Sequence, residues 1–167
     1  REHSQITKDC RSEIRQMTIH EDPGILPDRN EIIRVRREKL AALREAGRDP
    51  FLRVTYPVTH HSAQIVRDFD ALEGREVSIA GRMLSKRVMG RASFAHVADR
   101  EGSVQIYVKL DVVGEEAYEE FRRMDIGDIL GVAGTVFRTH RGEVSVQVRD
   151  FALLSKSLLP LPEKFHG

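Results

Sequence analysis

From Val77 onward the apolar residues fall on every second position, a period that builds strands and excludes a helical bundle for the second half of the chain. Val77, Ile79, Gly81 and Met83 alternate with Ser78, Ala80, Arg82 and Leu84, which predicts a first strand running on towards Val88. Gly90 marks a turn, and a second strand spans Ser93 to Ala98. After the turn Asp99-Arg100-Glu101-Gly102, a third strand points Val104, Ile106 and Val108 inward and Gln105, Tyr107 and Lys109 outward. Between Gly114 and Met124 the period becomes helical, with Ala117, Phe121 and Met124 on the buried stripe. It returns to two in a fourth strand, Ile129 to Arg138, which includes Val132, Gly134 and Val136. An Arg141-Gly142 hairpin then leads to a fifth strand marked by Val144, Val146 and Val148.

Three meandering strands, a helix and a two-strand hairpin is the order of an OB-fold, an all-β five-stranded barrel plugged at one end by the helix between strands three and four. Closure removes unprotected strand edges, and such barrels bind oligonucleotides on the face of strands two and three with the adjoining loops. An N-terminal helical segment precedes the barrel. Asn30 is placed to cap a helix with Ile33, Leu40 and Leu43 on one face and Arg34, Arg37, Arg44 and Arg48 on the other. Gly47 suits a left-handed C-terminal cap, and Pro50 prevents continuation. Beyond Pro57, Ser62 is placed to cap a short helix running towards Phe69. Residues 1–30 mix both charges, contain Pro23, Gly24 and Pro27, and hold no period; they read as a linker or tail with at most a short helix from Asp9 to Met17.

With 40% hydrophobic residues the chain is too apolar to be disordered, yet no run approaches the roughly 20 apolar residues that span a bilayer. No membrane partner is expected. Arg1 to His20 carry charge throughout and lack an apolar middle, so a secretory leader is not expected either, and Arg rather than Met at position 1 points to an excised or processed fragment. Cys10 stands alone, which excludes an internal disulfide framework and favours a reducing, cytoplasmic setting. The near balance of 27 Lys+Arg against 26 Asp+Glu hides a segregation. Residues 76–109 hold six basic and three acidic side chains, whereas residues 110–130 hold two and seven, so one side of the molecule can attract a polyanion.

Nothing in the pattern is catalytic or metal-binding. The seven histidines, His3, His20, His60, His61, His96, His140 and His166, never meet Cys or a carboxylate at metal-ligand spacing, and His60-His61 reads as a loop pair. Cys10 lacks a supporting base, and the glycines fall singly at turns without forming a phosphate cradle. Binding is better supported. On strand two Ser93, Ala95 and Val97 share one face and Phe94 and His96 the other. With Ala95 and Val97 inward, Phe94 stands on the outer face beside Gln105, bordered by Arg82, Lys86, Arg87 and Arg91. An aromatic ring, an amide and cations suit an unstacked base and its phosphates. The bland alternatives are a Phe94 packed beneath a loop or helix and a solvated basic strand edge.

Several runs, in order and at matching spacing, resemble the class II lysyl-tRNA synthetases. They are Val77–Phe94 (VSIAGRMLSKRVMGRASF), Val104–Val108 (VQIYV), Asp125–Gly131 (DIGDILG) and Thr139–Val146 (THRGEVSV). Val35–Leu40 (VRREKL) and Leu43–Pro50 (LREAGRDP) resemble that family's first helix, and Leu153–Gly167 its connector into the catalytic domain. The resemblance covers roughly residues 31–167 and divides the chain into a tail (1–30), a helical segment (31–70), an anticodon-binding barrel (71–156) and a connector (157–167). It implies that Phe94 stacks on an anticodon base, that Gln105 supports the same uridine, that Glu143 reads a base edge, and that Arg87, with Arg82 and Lys86, holds anticodon or phosphate groups. The implied partner is the tRNA(Lys) anticodon loop. Lysine, ATP and magnesium would be bound by a catalytic domain beyond Gly167, leaving this chain without a cofactor and inactive alone. The parent would be a homodimer, and the fragment weakly associating or monomeric. Aspartyl- and asparaginyl-type class IIb barrels and free-standing single-strand-binding OB-folds are the alternatives; the connector and first helix favour lysine.

Overall fold

The alternating runs close on themselves. In the computed structural model, which describes residues 28–52 and 55–161, the strands β1 (Glu76–Met89), β2 (Ala92–Ala98), β3 (Ser103–Lys109), β4 (Ile129–Arg138) and β5 (Val144–Ser155) form a closed barrel in the order β1-β2-β3-β5-β4. Every pairing is antiparallel except β3 with β5, where Ile106 lies opposite Val146. This is the five-stranded OB-fold that the period predicts. Its interior is filled from each strand in turn by Val77, Ile79 and Met83, Ala95 and Val97, Val104, Ile106 and Val108, Leu130, Val132 and Val136, and Val146 and Val148. Two glycines permit the bends that closure needs: a Cβ on Gly81 would stand 2.4 Å from the Ala98 carbonyl oxygen, and one on Gly134 2.0 Å from that of Gln147.

A bulge in β1 decides which side chains reach the outer face. The β1–β2 register runs Met83 opposite Val97, then Ser85 opposite His96, so Leu84 is the extra residue. One extra residue inverts the parity of everything after it. Lys86 therefore falls opposite inward-facing Ala95, and Arg87 opposite outward-facing Phe94.

The helices correct the sequence reading at three places. α1 spans Arg29–Glu45, so Asn30 lies inside its first turn, and Asp28 precedes it without a side-chain cap bond. At the other end Gly47 does adopt φ +70°. In α2 (Ser62–Arg67), followed by α3 (Phe69–Leu72), Ser62 is the first helical residue rather than the cap. Its N–H and hydroxyl donate to the Asp99 carboxylate at 2.7 and 2.6 Å, so the helix start is satisfied from the β2–β3 turn 37 residues away. The barrel plug is broken by Gly114, at φ +90°, into α4 (Leu110–Val113) and α5 (Glu115–Arg123). Phe121 and Met124 are buried as expected, but Tyr118 joins them while Ala117 is only half-buried. The Tyr118 hydroxyl donates to the Gly90 carbonyl at 2.8 Å and accepts from buried Ser93 at 2.9 Å, joining the plug to the start of β2. The expectations for Cys10 and for a helix over Asp9 to Met17 lie outside the described residues. Among the described residues no helix is long and apolar enough to cross a membrane.

Candidate nucleic-acid interface

The outer face of β2 and β3 carries an aromatic row that alternation alone places there. Phe94 lies opposite Tyr107, and their rings stack with centroids 4.8 Å apart and planes 24° apart. Tyr107 meets Phe137 of β4 at 5.9 Å in a tilted arrangement. All three are half-buried, each by its neighbours in the row, so Phe94 stands neither in the core nor beneath a helix. Aromatic rings packed against one another on the outer face of the barrel form a platform on which a base can stack.

Polar groups border this row on one side. His96 lies opposite Gln105, two residues along each strand from the Phe94–Tyr107 pair. The Gln105 Oε1 accepts from the Ser145 hydroxyl at 2.9 Å, which orients the amide and leaves its NH2 as donor. Glu143 arrives from the β4–β5 hairpin, whose backbone is tied by Thr139 N–H to the Glu143 carbonyl at 3.0 Å and by Glu143 N–H to the Thr139 hydroxyl at 3.1 Å. Its carboxylate meets His96 Nε2 at 2.8 Å. Phe94, Gln105, Glu143 and Arg87, chosen from sequence, therefore share one face.

Lys86 does not belong to it, and Arg82 lies opposite Ala98, away from the aromatic row. With its parity inverted by the bulge, Lys86 turns to the end of the barrel and donates to the carbonyls of Arg122, at 2.7 Å, and Met124. There it caps α5, where a cation is favoured by the helix dipole. Burial holds its ammonium below the ordinary lysine value, against the opposing pull of Asp125. Arg82 lies before the bulge and donates to the Gly127 carbonyl at 3.1 Å, in the loop between α5 and β4. Arg91 is paired with Asp111. Of the basic residues singled out, Arg87 is the one that the register sets beside Phe94.

His96, Tyr107 and Phe137 were missed as site residues. Tyr107 was legible as outward, but its contact with Phe137 crosses β5, and the His96–Glu143 pair spans 47 residues. Among the described residues no group of three or more His, Cys, Asp or Glu side chains could hold a metal.

A second polar cluster occupies the junction of α1, the α5–β4 loop and the end of β5. Lys156 Nζ donates to Asp125 at 2.6 Å and to both oxygens of Asp128 at 2.8 and 2.9 Å. Asp128 also accepts the backbone N–H of Asp125 and of Ser157, each at 2.8 Å. Lys39 of α1 donates to Asp125 at 2.8 Å, and buried Arg36 donates to the carbonyls of Ile126, Ser157 and Leu159. Burial raises the Asp125 carboxyl, but bonds from Lys156 and Lys39 outweigh it and hold the group below its ordinary value. A cavity of about 680 Å³ opens beside this junction, and Phe94 is not among the residues that line it. Among its charged lining groups, Lys156 is bonded to Asp128 and Lys39 to Asp125.

Comparison with known proteins agrees with this geometry. Residues 77–154 match the tRNA anti-codon family, described as an OB-fold nucleic acid binding domain. The chain is 56% identical over 138 residues to a lysine–tRNA ligase of Moorella thermoacetica, an alignment covering 83% of this chain and 28% of the relative. It is 52% identical over 147 residues to that of Pelotomaculum thermopropionicum (88% and 29%), and 48% identical over 152 residues to that of Clostridium perfringens (91% and 30%). The chain thus spans less than a third of the length of these relatives.

Proposed function

From the premise that residues 77–154 belong to the anticodon-type OB-fold nucleic acid binding domains, we propose that this chain is the anticodon-reading part of a lysine–tRNA ligase and that its ligand is the anticodon loop of tRNA(Lys). The observation that carries the reading is the aromatic row beside an oriented amide and a carboxylate. Phe94 stacks on an anticodon base, Gln105 bonds the same uridine through its NH2, and Arg87 lies at a phosphate. Glu143 reads the pairing edge of a uracil. An ionised carboxylate accepts only, so it pairs with the uracil N3–H and faces the bare N3 of cytosine lone pair to lone pair. Attachment of lysine, with ATP and magnesium, falls to the remaining length of such a ligase; the whole enzyme works as a homodimer in the cytoplasm, and this chain alone is monomeric or weakly associated.

Filter binding at one fixed salt concentration tests the reading with three RNAs: a tRNA(Lys) transcript, the same transcript with a replaced anticodon, and a homopolymer. The lysine transcript should bind most tightly. Equal affinity for all three would make the barrel a general single-strand binder, and absence of salt-dependent binding would make it a protein-contact module.

A further inference from the structure

The Glu143 side chain is held by His96. Thr139 fixes the Glu143 backbone, but among the described residues its carboxylate has a single partner, His96 Nε2, which contacts Oε1 at 2.8 Å. Oε2 is left without one. The ring is held on its other side too, with Nδ1 3.0 Å from the Ser85 hydroxyl. These contacts dictate which nitrogen carries the hydrogen. A carboxylate only accepts, so Nε2 must donate, and in the neutral ring a bare Nδ1 accepts from Ser85. Three strand segments are joined in this way: Ser85 just after the β1 bulge, His96 on β2 and Glu143 in the β4–β5 hairpin. The bulge is what makes the chain of bonds possible, because it sets Ser85 opposite His96.

We propose that His96 is a positioning residue for base discrimination: it clamps Oε1 of Glu143 so that Oε2 is presented as the acceptor for the uracil that Glu143 reads. The proposal rests on the reading of Glu143 given above. The carboxylate is about half-exposed, at 49%, and a glutamate on a hairpin samples several rotamers unless it is bonded. Ordering such a side chain at the moment of binding weakens the bond it makes; ordering it beforehand removes that cost. The imidazole also spreads part of the carboxylate charge away from the approaching phosphates, an effect common to every RNA and therefore absent from a ratio of affinities.

The test compares a transcript carrying the uridine anticodon with one bearing a single cytidine replacement, both bound to the full chain at one salt concentration. His96→Ala should narrow the preference for uridine by about 2- to 10-fold, the size expected for one side chain left to be ordered on binding. Glutamine places an amide nitrogen near the position of Nε2, so His96→Gln should restore most of the preference. Asparagine reaches only as far as Nδ1, so His96→Asn should behave like alanine. A merely structural role would not separate glutamine from asparagine. Equal narrowing by all three variants, or no narrowing by His96→Ala, overturns the proposal. Glu143→Gln distinguishes the two ways of failing. If it narrows the preference while His96→Ala does not, Glu143 reads the base without help; if neither does, the reading of Glu143 itself is lost. Should a His96 variant fail to fold, Ser85→Ala frees the ring to change tautomer from a different strand and should narrow the preference about 2-fold; an unchanged ratio there counts against the clamp.

Discussion

Two regions of this molecule use the same residue types to opposite ends. On the outer face, Glu143 and His96 form one hydrogen-bonded contact with side chains 49% and 39% exposed. At the junction, Asp128 and Lys156 are 0% and 2% exposed, and Asp128 accepts from Lys156 and from two backbone N–H groups. A half-exposed pair contributes little to folding, roughly 0–1 kcal/mol, and can exchange its partners for those of a ligand. A buried pair cannot, since removing either member strands a charge away from water. Exposure, not composition, separates a surface made for binding from a joint that holds three elements together.

The sharpest way to break this contrast is to cut both pairs. Asp128→Ala leaves Lys156 buried without its main partner and should cost about 3–5 kcal/mol, read as a fall in the urea midpoint. Glu143→Ala, measured in the same way, should cost less than about 1 kcal/mol. Similar losses at the two sites would erase the distinction.

Acid should act on carboxylates held, like those of the junction, by several hydrogen bonds. Asp125 and Asp99 both sit below the ordinary aspartate value: burial raises each, but bonds from Lys156 and Lys39 at Asp125, and from Ser62, Glu101 and Gly102 at Asp99, outweigh it. A depressed folded value means stability that is complete above the unfolded value, about 4, and is lost as pH falls through the lower folded value. The urea midpoint should therefore hold from pH 7 to about 5 and drop below about 4, and in Asp125→Asn that drop should be shallower.

Phe94→Ala should do the reverse of Asp128→Ala. Losing one base–aromatic stack, worth about 1–3 kcal/mol, weakens tRNA binding about 5- to 150-fold while the barrel stays folded, because the ring packs on Tyr107 outside the core. Melting of the barrel, with normal binding in what remains folded, would return Phe94 to the core.

The smallest contrast lies between neighbours. Arg87→Ala should lower the slope of log affinity against log salt by about 1, as loss of one phosphate contact does. Lys86→Ala should leave that slope unchanged and reduce stability instead, by about 1–2 kcal/mol, because its ammonium is spent on the last carbonyls of α5. Equal slopes for the two variants would mean that the bulge does not sort them.

The strand order, the inward residues and the outward Phe94 and Gln105 were all readable from a period of two, because alternation is a local property of the backbone and each position's side follows from its neighbours. The family runs were readable for the same reason, being contiguous. What lay beyond the sequence was whatever depended on a register or on distant partners. Leu84 carries no signal of a bulge, yet the inserted residue sends Lys86 to a helix end and leaves Arg87 beside Phe94. Ser62 reads as a cap until Asp99 is brought to it from the β2–β3 turn. The DIGDILG run was readable only as one of the runs that resemble the family, and only folding sets its two aspartates against Lys39 and Lys156. Composition and period thus determined the barrel and, except beyond the β1 bulge, the side of the sheet on which each strand residue lies. Tertiary structure decided which charges are buried and paired and which stay exposed, since burial and long-range hydrogen bonds are set by closure of the barrel rather than by any residue's neighbours in the chain.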